Sequence, residues 1–128
     1  MADILFLTLA EVIDIHADQI ERYGGSHGVR DMNLLSSAVA MPSASFGGDY
    51  LHADTFEMAA AYAFHIAQNH PFIDGNKRAA LASALVFLEM NGSGISDTSG
   101  RLYDAMIDIA SGRLKKAEFA GILRKLQR

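Results

Sequence analysis

Two apolar runs decide the fold of this chain: TFEMAAAYAFHIAQN at residues 55–69 and NKRAALASALVFLEM at residues 76–90. Asp54 or Thr55 can cap the first run, and Gly92 follows the second run as a helix stop. Apolar residues lie on nearly every side of both predicted helices. Helices of this kind occupy the centre of a bundle, where other helices surround them. The two runs therefore predict the central pair of an all-α fold.

Four further helices are predicted on either side of this pair. Thr8-Leu9-Ala10-Glu11 fits a capping box, and Gly24-Gly25 predicts the end of the helix that follows it. Asp31 can cap the second helix. Two amphipathic segments complete the chain. The predicted spans are about Leu9 to Tyr23, Asp31 to near Pro42, which cannot continue a helix, residues 98–110 and residues 115–127.

Residues 42–53 form the longest stretch without helical periodicity. This stretch holds Phe46-Gly47-Gly48 and a second aromatic residue, Tyr50. It predicts an irregular or hairpin-like flap before the central helices, and residues 3–7 are the other candidate for a short strand. Because no linker or internal repeat interrupts the pattern, residues 1–128 predict one domain, an all-α bundle of about six helices.

The composition restricts the class of protein. Half of the 128 residues are hydrophobic, which favours a folded globule over a disordered chain. The absence of cysteine excludes disulfides, thiolate catalysis and zinc–thiolate sites. The N-terminal segment lacks a basic region before its apolar run, and no run of about 18 uncharged apolar residues occurs. We therefore expect neither a secretory signal nor a membrane span, and the expected compartment is the cytoplasm.

The net charge of −4 is unevenly distributed. Residues 1–100 hold 4 Lys and Arg against 12 Asp and Glu, whereas residues 101–128 hold 7 against 3. A basic terminal helix can meet nucleic acid or an acidic partner. Because aromatic residues do not alternate with the basic ones, as single-strand binders require, a solvated helix face is favoured. Direct nucleic-acid binding is therefore not expected.

A polar loop and the first helical turn after it, HPFIDGNKR at residues 70–78, join the two central runs. Backbone N–H groups at the start of a helix have no partner within the helix. Those around Gly75, Asn76 and Lys77 therefore predict an anion site suited to phosphate. The side chains of Lys77 and Arg78 add positive charge at the same place, where it opposes the helix dipole. This local conflict favours a functional reason for the loop.

Two more side chains of the loop predict catalysis. Asp74 beside a phosphate site is repulsive alone, but it fits if Mg²⁺ bridges the carboxylate and the phosphates. His70 can take a proton from an attacking hydroxyl near neutral pH. The motifs of P-loop, dinucleotide-binding and serine-hydrolase sites are absent. The remaining histidines are interpreted as surface or satisfied residues: His16, His27, His52 and His65.

These residues carry a resemblance to the Fic/Doc superfamily. The Fic branch has the pattern His-x-Phe-x-(Asp/Glu)-Gly-Asn-Gly-Arg-x-x-Arg. Residues 70–78 look closest to the death-on-curing (Doc) branch, in which Lys stands where Fic enzymes have the glycine after Asn. The similarity extends from Tyr23 to Gly92, which is more than half of the chain.

The resemblance implies a role for each matching position. His70 would be the general base on a protein hydroxyl, and Asp74 would hold Mg²⁺. The phosphates of ATP would be bound by residues 75–77, namely Gly75, Asn76 and Lys77, while Arg78 would steady their charge. Phe46, Gly47 and Gly48 would belong to a flap that docks a segment of the target protein by main-chain pairing.

The resemblance also implies a biological role. A Doc-like protein would be the toxin of a toxin–antitoxin pair and would inhibit translation by modifying an elongation factor. The Ser/Thr-x-x-x-Glu-Gly/Asn motif of self-inhibited Fic proteins is absent, because none of the glutamates is followed by Gly or Asn. A separate antitoxin protein is therefore expected.

Four reactions or roles remain open at this stage. Leu81 stands where Fic enzymes have the second Arg, and Lys77 stands where they have Gly. In the Doc branch both changes accompany transfer of the γ-phosphate, so the leading hypothesis is a protein kinase that uses ATP and Mg²⁺. The alternatives are transfer of AMP by the same residues and a non-catalytic binding module. A nucleic-acid binder that uses residues 113–128 is a further, disfavoured alternative.

Overall fold

The computed structural model describes residues 3–128, and the predicted bundle of about six helices is confirmed within them. Met1 and Ala2, the first residues of the segment in which no secretory signal is expected, lie outside the described residues. No helix among residues 3–128 is long and apolar enough to cross a bilayer. The elements are α1 (Leu9–Tyr23), α2 (Met32–Ala40), β1 (Ser45–Phe46), β2 (Asp49–Tyr50), α3 (Thr55–Asn69), α4 (Asn76–Met90), α5 (Arg101–Ala110) and α6 (Lys116–Lys125).

The two central runs form α3 and α4, which pack against each other in the middle of the bundle. Helix α3 also contacts α2, α5 and α6, and α4 also contacts α1 and α5. Both helices are rich in buried alanine, whose small side chain lets neighbouring helices approach closely. The buried alanines of the two helices are Ala59, Ala60, Ala61, Ala63, Ala67, Ala79, Ala80 and Ala84.

The helix starts follow the predicted capping signals. Thr8 and Glu11 form the reciprocal capping box of α1, and the Asp31 carboxylate accepts the N–H of Leu34 at the start of α2. Of the two candidates for the α3 cap, Asp54 is the N-cap, because its carboxylate accepts the N–H of Glu57 at 2.8 Å. These caps each satisfy a backbone donor that the helix itself leaves free.

Helix α5 begins three residues later than the sequence predicts. The Asp97 carboxylate accepts the N–H groups of Arg101 and Leu102 at 3.0 and 2.9 Å, and Gly100 at φ 72° makes the turn between them. Helix α6 ends at Lys125 rather than near 127, because Gln127 pairs with Ile95 in an isolated antiparallel bridge. Both differences arise from hydrogen bonds that a periodic pattern does not register.

The flap contains the predicted hairpin. Ser45 pairs with Tyr50 and Phe46 with Asp49, and the turn between them is Gly47-Gly48. Both glycines have positive φ, 61° and 89°, as a two-residue type I′ turn requires. Residues 3–7 do not form a strand. Instead, Asn91 bonds both backbone groups of Leu5, and the buried hydroxyl of Tyr62 accepts the N–H of Leu7 at 2.8 Å.

Candidate functional site

The polar loop begins with a left-handed residue at the end of α3. His70 has φ 53° and ψ 52°, and it is the one non-glycine residue with positive φ among residues 3–128. This conformation costs an L-residue about 1–2 kcal/mol. Arg30 holds it in place, because its guanidinium donates to the carbonyl oxygens of His70 and Asn69 at 2.8 and 3.1 Å.

The segment between α1 and α2 supports the loop through backbone hydrogen bonds. The Pro71 carbonyl accepts the N–H groups of Arg30 and Asp31 at 2.7 and 3.0 Å, and the Ile73 N–H donates to Gly28 at 3.0 Å. Residues 28–31 and 71–73 therefore lie side by side in an extended arrangement. The loop is tied to a segment about 40 residues earlier in the sequence.

A buried ring pair anchors the middle of the loop. Phe72 is fully buried, and the imidazole of His16 on α1 stacks on it in parallel, with ring centroids 3.8 Å apart. The Nε2–H of His16 donates to the carbonyl oxygen of Asp74 at 2.7 Å. Burial lowers the pKa of His16, although this hydrogen bond acts in the opposite direction. His16 is thus a satisfied histidine, as predicted, and it also supports the loop.

The carboxylate of Asp74 is exposed and accepts two backbone hydrogen bonds. The N–H of Ser26 lies 3.1 Å from Oδ2, and the N–H of Gly75 lies 2.8 Å from Oδ1. These two bonds lower the pKa of Asp74, and the nearby Arg78 adds to the effect. A side chain at Gly25 would place its Cβ 2.6 Å from Oδ2, so the carboxylate needs glycine there.

Helix α4 begins with free backbone donors. The N–H of Ala79 makes the first helical bond, to the carbonyl of Gly75 at 2.9 Å, and no side chain caps the helix. Within residues 3–128 no acceptor forms a hydrogen bond with the backbone N–H groups of Asn76, Lys77 or Arg78. Three aligned donors and the positive end of the helix dipole favour an anion at this end.

The predicted site residues meet at one cavity of about 230 Å³. Its lining consists of His70, Ile73, Asp74, Gly75, Asn76, Lys77, Arg78 and Tyr103. The side chain of Asn76 is itself buried and turned into the loop, where it contacts the backbone of Phe72 and the ring of His70. The flap residues Phe46, Gly47 and Gly48 do not line this cavity, and Phe46 is 83% exposed.

An apolar groove of about 440 Å³ adjoins the cavity. Arg78 and Tyr103 lie on the boundary and line both spaces. Leu81, at the position of the second Arg of Fic enzymes, lines the groove and not the polar cavity. The side chains that bring positive charge to the cavity are therefore Lys77 and Arg78.

Several supporting residues gave little signal in the sequence. His16 falls on the same helix face as Val12 and Ile20, four residues to either side, and that spacing is the one sign of its burial. Arg30, Gly25 and Ser26 lie in a polar segment whose side chains show no periodicity. The roles of His16, Ser26 and Arg30 depend on hydrogen bonds to residues 39 to 58 positions away in the chain.

The basic terminal region faces the rest of the protein rather than solvent alone. Arg124 pairs with Asp54 at 2.9 Å, and Arg128 pairs with Glu89 at 3.1 Å. Lys116 is partly buried, where its Nζ lies 3.1 and 3.2 Å from the Nε2 atoms of His52 and His65. The charge asymmetry of the sequence is therefore partly neutralised within the fold.

The fold and site define an all-α protein whose central helices are joined by a polar loop that ends in a helix N-terminus without a side-chain cap. The sequence model of the Fic/DOC family matches residues 6–88, and the chain belongs to this family. It is similar to a protein named Protein kinase doc from Escherichia phage P1, with 36% identity over 116 residues that cover 91% of this chain and 90% of the relative. It is also similar to a protein named Toxin Doc from Mycolicibacterium smegmatis, with 44% identity over 70 residues that cover 55% of this chain and 54% of the relative. The resemblance to the death-on-curing branch is confirmed by these matches.

Proposed function

We propose that this protein is a Doc-like toxin that transfers the γ-phosphoryl group of ATP to a hydroxyl of a target protein. The observation that carries the proposal is the cavity that His70, Asp74 and the N-terminus of α4 share. One exposed imidazole, one carboxylate and a row of free N–H groups are the groups that phosphoryl transfer needs. The relative named a protein kinase supports the same class of reaction.

In this proposal His70 takes the proton of the target hydroxyl as the hydroxyl oxygen attacks the γ-phosphorus. The bond between that phosphorus and the β–γ bridging oxygen breaks, ADP leaves, and a phosphoester forms on the target. A positioned general base contributes about 10²–10⁴-fold to such a rate. The backbone N–H groups of residues 76–78 and the side chains of Lys77 and Arg78 neutralise charge on the phosphate oxygens.

Asp74 is the residue that would hold Mg²⁺. Its carboxylate is exposed, lines the cavity and carries a lowered pKa, so it is ionised and has lone pairs beyond its two backbone bonds. Among the described residues no group of three or more acidic, His or Cys side chains forms a complete metal cage. This agrees with Mg²⁺, which commonly uses one or two carboxylates together with substrate phosphates. The ion would neutralise phosphate charge.

The charges around the cavity favour phosphoryl transfer over transfer of AMP. Leu81 lies in the apolar groove, so the second turn of α4 adds no third cation beside Lys77 and Arg78. Transfer of AMP places the reaction at the α-phosphorus, with pyrophosphate as the leaving group. In Fic enzymes that reaction is accompanied by the second Arg of the motif and by the glycine after Asn. This chain has Leu81 and Lys77 at those two positions.

Labelled nucleotide separates the two reactions. The purified protein is incubated with Mg²⁺, a cell lysate and ATP labelled at either the α or the γ position. We expect protein-bound label from the γ position and none from the α position. We expect a loss of about 10²-fold or more in His70→Ala. His27→Ala is the matched control, since His27 is exposed, pairs with Glu21 and does not line the cavity.

Label that arrives from the α position alone would show that the protein is a nucleotidyltransferase. If neither label is transferred and His70→Ala changes nothing in the cell, the protein is a binding module.

We further propose that the protein acts in the cytoplasm on the translation machinery, with an elongation factor as the target, and that a separate antitoxin restrains it. Expression of the chain alone should arrest growth and incorporation of labelled amino acids, whereas His70→Ala should not. If a short open reading frame lies directly upstream, its co-expression should restore growth. Normal growth upon expression of the active chain in its own host would contradict the toxin role.

A further inference from the structure

The buried amide of Asn76 has a fixed orientation. Its Oδ1 accepts the N–H of Phe72 at 2.8 Å, and its Nδ2 donates to the carbonyl of Phe72 at 2.9 Å. Exchange of the amide nitrogen and oxygen would set donor against donor and acceptor against acceptor. Because the residue is only 5% exposed, water cannot take the place of these partners, and loss of either bond would leave a buried polar group unsatisfied. The positions of Oδ1 and Nδ2 are therefore determined by the backbone of Phe72.

The second hydrogen on Nδ2 is available to His70. The distance between Asn76 Nδ2 and His70 Nδ1 is 3.0 Å. Since Nδ2 can only donate, His70 Nδ1 must be the acceptor, and a neutral imidazole with a bare Nδ1 carries its proton on Nε2.

We propose that Asn76 is a positioning residue that keeps the neutral ring of His70 in the Nε2–H tautomer and occupies the ring's lone pair until the target hydroxyl arrives. The role of His70 in this inference rests on the proposed function. The side chain of Asn76 then acts on the base, while its backbone N–H remains free for phosphate. Arg30 fixes the backbone of the same histidine, so His70 is held from both ends.

The tautomer determines how the proton moves. The neutral ring has one lone pair, on Nδ1, and this lone pair must take the proton of the target hydroxyl. Because Phe72 fixes the amide, the His70 ring turns away from Asn76 Nδ2 to meet the hydroxyl, and the hydrogen bond between Nδ2 and Nδ1 breaks as the proton arrives. The resulting imidazolium carries a hydrogen on each nitrogen. Asn76 keeps its two bonds to Phe72 throughout. The lone pair of the base is therefore engaged when no target is bound.

Nitrogen NMR of the histidine rings tests the tautomer without any nucleotide. At about pH 8.5 an imidazole is ordinarily neutral, and the His70 signals are assigned by their loss in His70→Gln. We expect a protonated Nε2, a bare Nδ1 and a coupling across the hydrogen bond between Nδ1 and the Asn76 Nδ2. A protonated Nδ1 with no such coupling overturns the inference. This result does not depend on transfer of phosphate, so failure of the proposed function and failure of this inference are distinguishable.

Substitution separates positioning from phosphate binding. In Asn76→Ala we expect the coupling to vanish, a fraction of the His70 rings to carry the proton on Nδ1, and the transfer rate to fall at least tenfold at saturating ATP. The Kd for ATP should stay within about twofold of that of the unaltered protein, as it should in the control Asn33→Ala, whose side chain is exposed on α2. A Kd for ATP weakened tenfold with an unchanged His70 spectrum would show that the side chain binds phosphate instead. If Asn76→Ala does not fold, the spectrum of the unaltered protein decides.

Discussion

Arg30→Ala tests whether the left-handed conformation of His70 depends on a distant cation. The guanidinium donates to the carbonyls of His70 and Asn69, which end helix α3 and otherwise lack partners from the helix. Each such bond contributes about 0.5–1.5 kcal/mol. Because Arg30 is exposed and water can replace part of each bond, we expect the pair to contribute about 1–2 kcal/mol.

Loss of this contact should lower both stability and activity. For a chain of 128 residues, 1–2 kcal/mol corresponds to a fall in Tm of roughly 3–10 °C. The left-handed turn also costs about 1–2 kcal/mol, and without Arg30 the chain end of α3 can relax and move the imidazole. A displacement of about 1 Å in a reacting group can cost about 10²-fold in rate. We therefore expect a lower kcat with little change in the Kd for ATP.

The assay pairs thermal unfolding with transfer of γ-label at saturating ATP. The matched control is Arg22→Ala, since Arg22 is exposed and pairs with Asp18 within α1, away from the loop. The control should retain the Tm and the rate of the unaltered protein. A Tm and a kcat of Arg30→Ala equal to those of the control would refute the idea that Arg30 holds His70.

Three further predictions concern the loop, the core and the His–Lys cluster. Gly25→Ala should weaken binding of Mg²⁺ and nucleotide, measured by calorimetry, because the new Cβ would lie 2.6 Å from the Asp74 carboxylate at a φ of 120°. Tyr62→Phe should lower the free energy of unfolding by about 1–3 kcal/mol in urea titrations, because the buried N–H of Leu7 loses its acceptor. Burial and the nearby Lys116 lower the pKa of His65 to about 4, so between about pH 6.5 and 4 the unfolded state binds more protons than the folded state. The urea midpoint should therefore fall as the pH falls through this window, and less so in His65→Gln.

Each of these has a control in the chain. Gly112→Ala also changes a glycine of positive φ, but apart from the adjoining residues no described atom lies within 4 Å of the new Cβ, so nucleotide binding should be unaffected. Tyr50→Phe changes an exposed residue and should leave stability unchanged, and His27→Gln, which removes an exposed imidazole outside the His–Lys cluster, is the control for His65→Gln. An equal effect in a variant and its control would contradict the corresponding prediction.

Much of the fold could be predicted because its signals are local. The caps at Thr8 and Asp54 and the apolar runs of α3 and α4 are written in contiguous residues, and the structure confirms them. The start of α5 differs from the prediction because the Asp97 carboxylate accepts the first helical N–H groups across a glycine turn. Periodicity alone does not contain that hydrogen bond.

The candidate site also has a part that the sequence predicts and a part that depends on the tertiary structure. Residues 70–78 are contiguous, so the sequence by itself determined that an imidazole, a carboxylate, two cations and a helix N-terminus lie together. Only the tertiary structure decided what holds them. His16 reaches Asp74 from α1, Arg30 reaches His70 from the segment before α2, and Asn76 faces His70 because Phe72 turns its amide. The physical reason is that a hydrogen bond depends on the position and orientation of both partners. For residues far apart in the chain, the packing of the helices determines both the positions and the orientations of the partners.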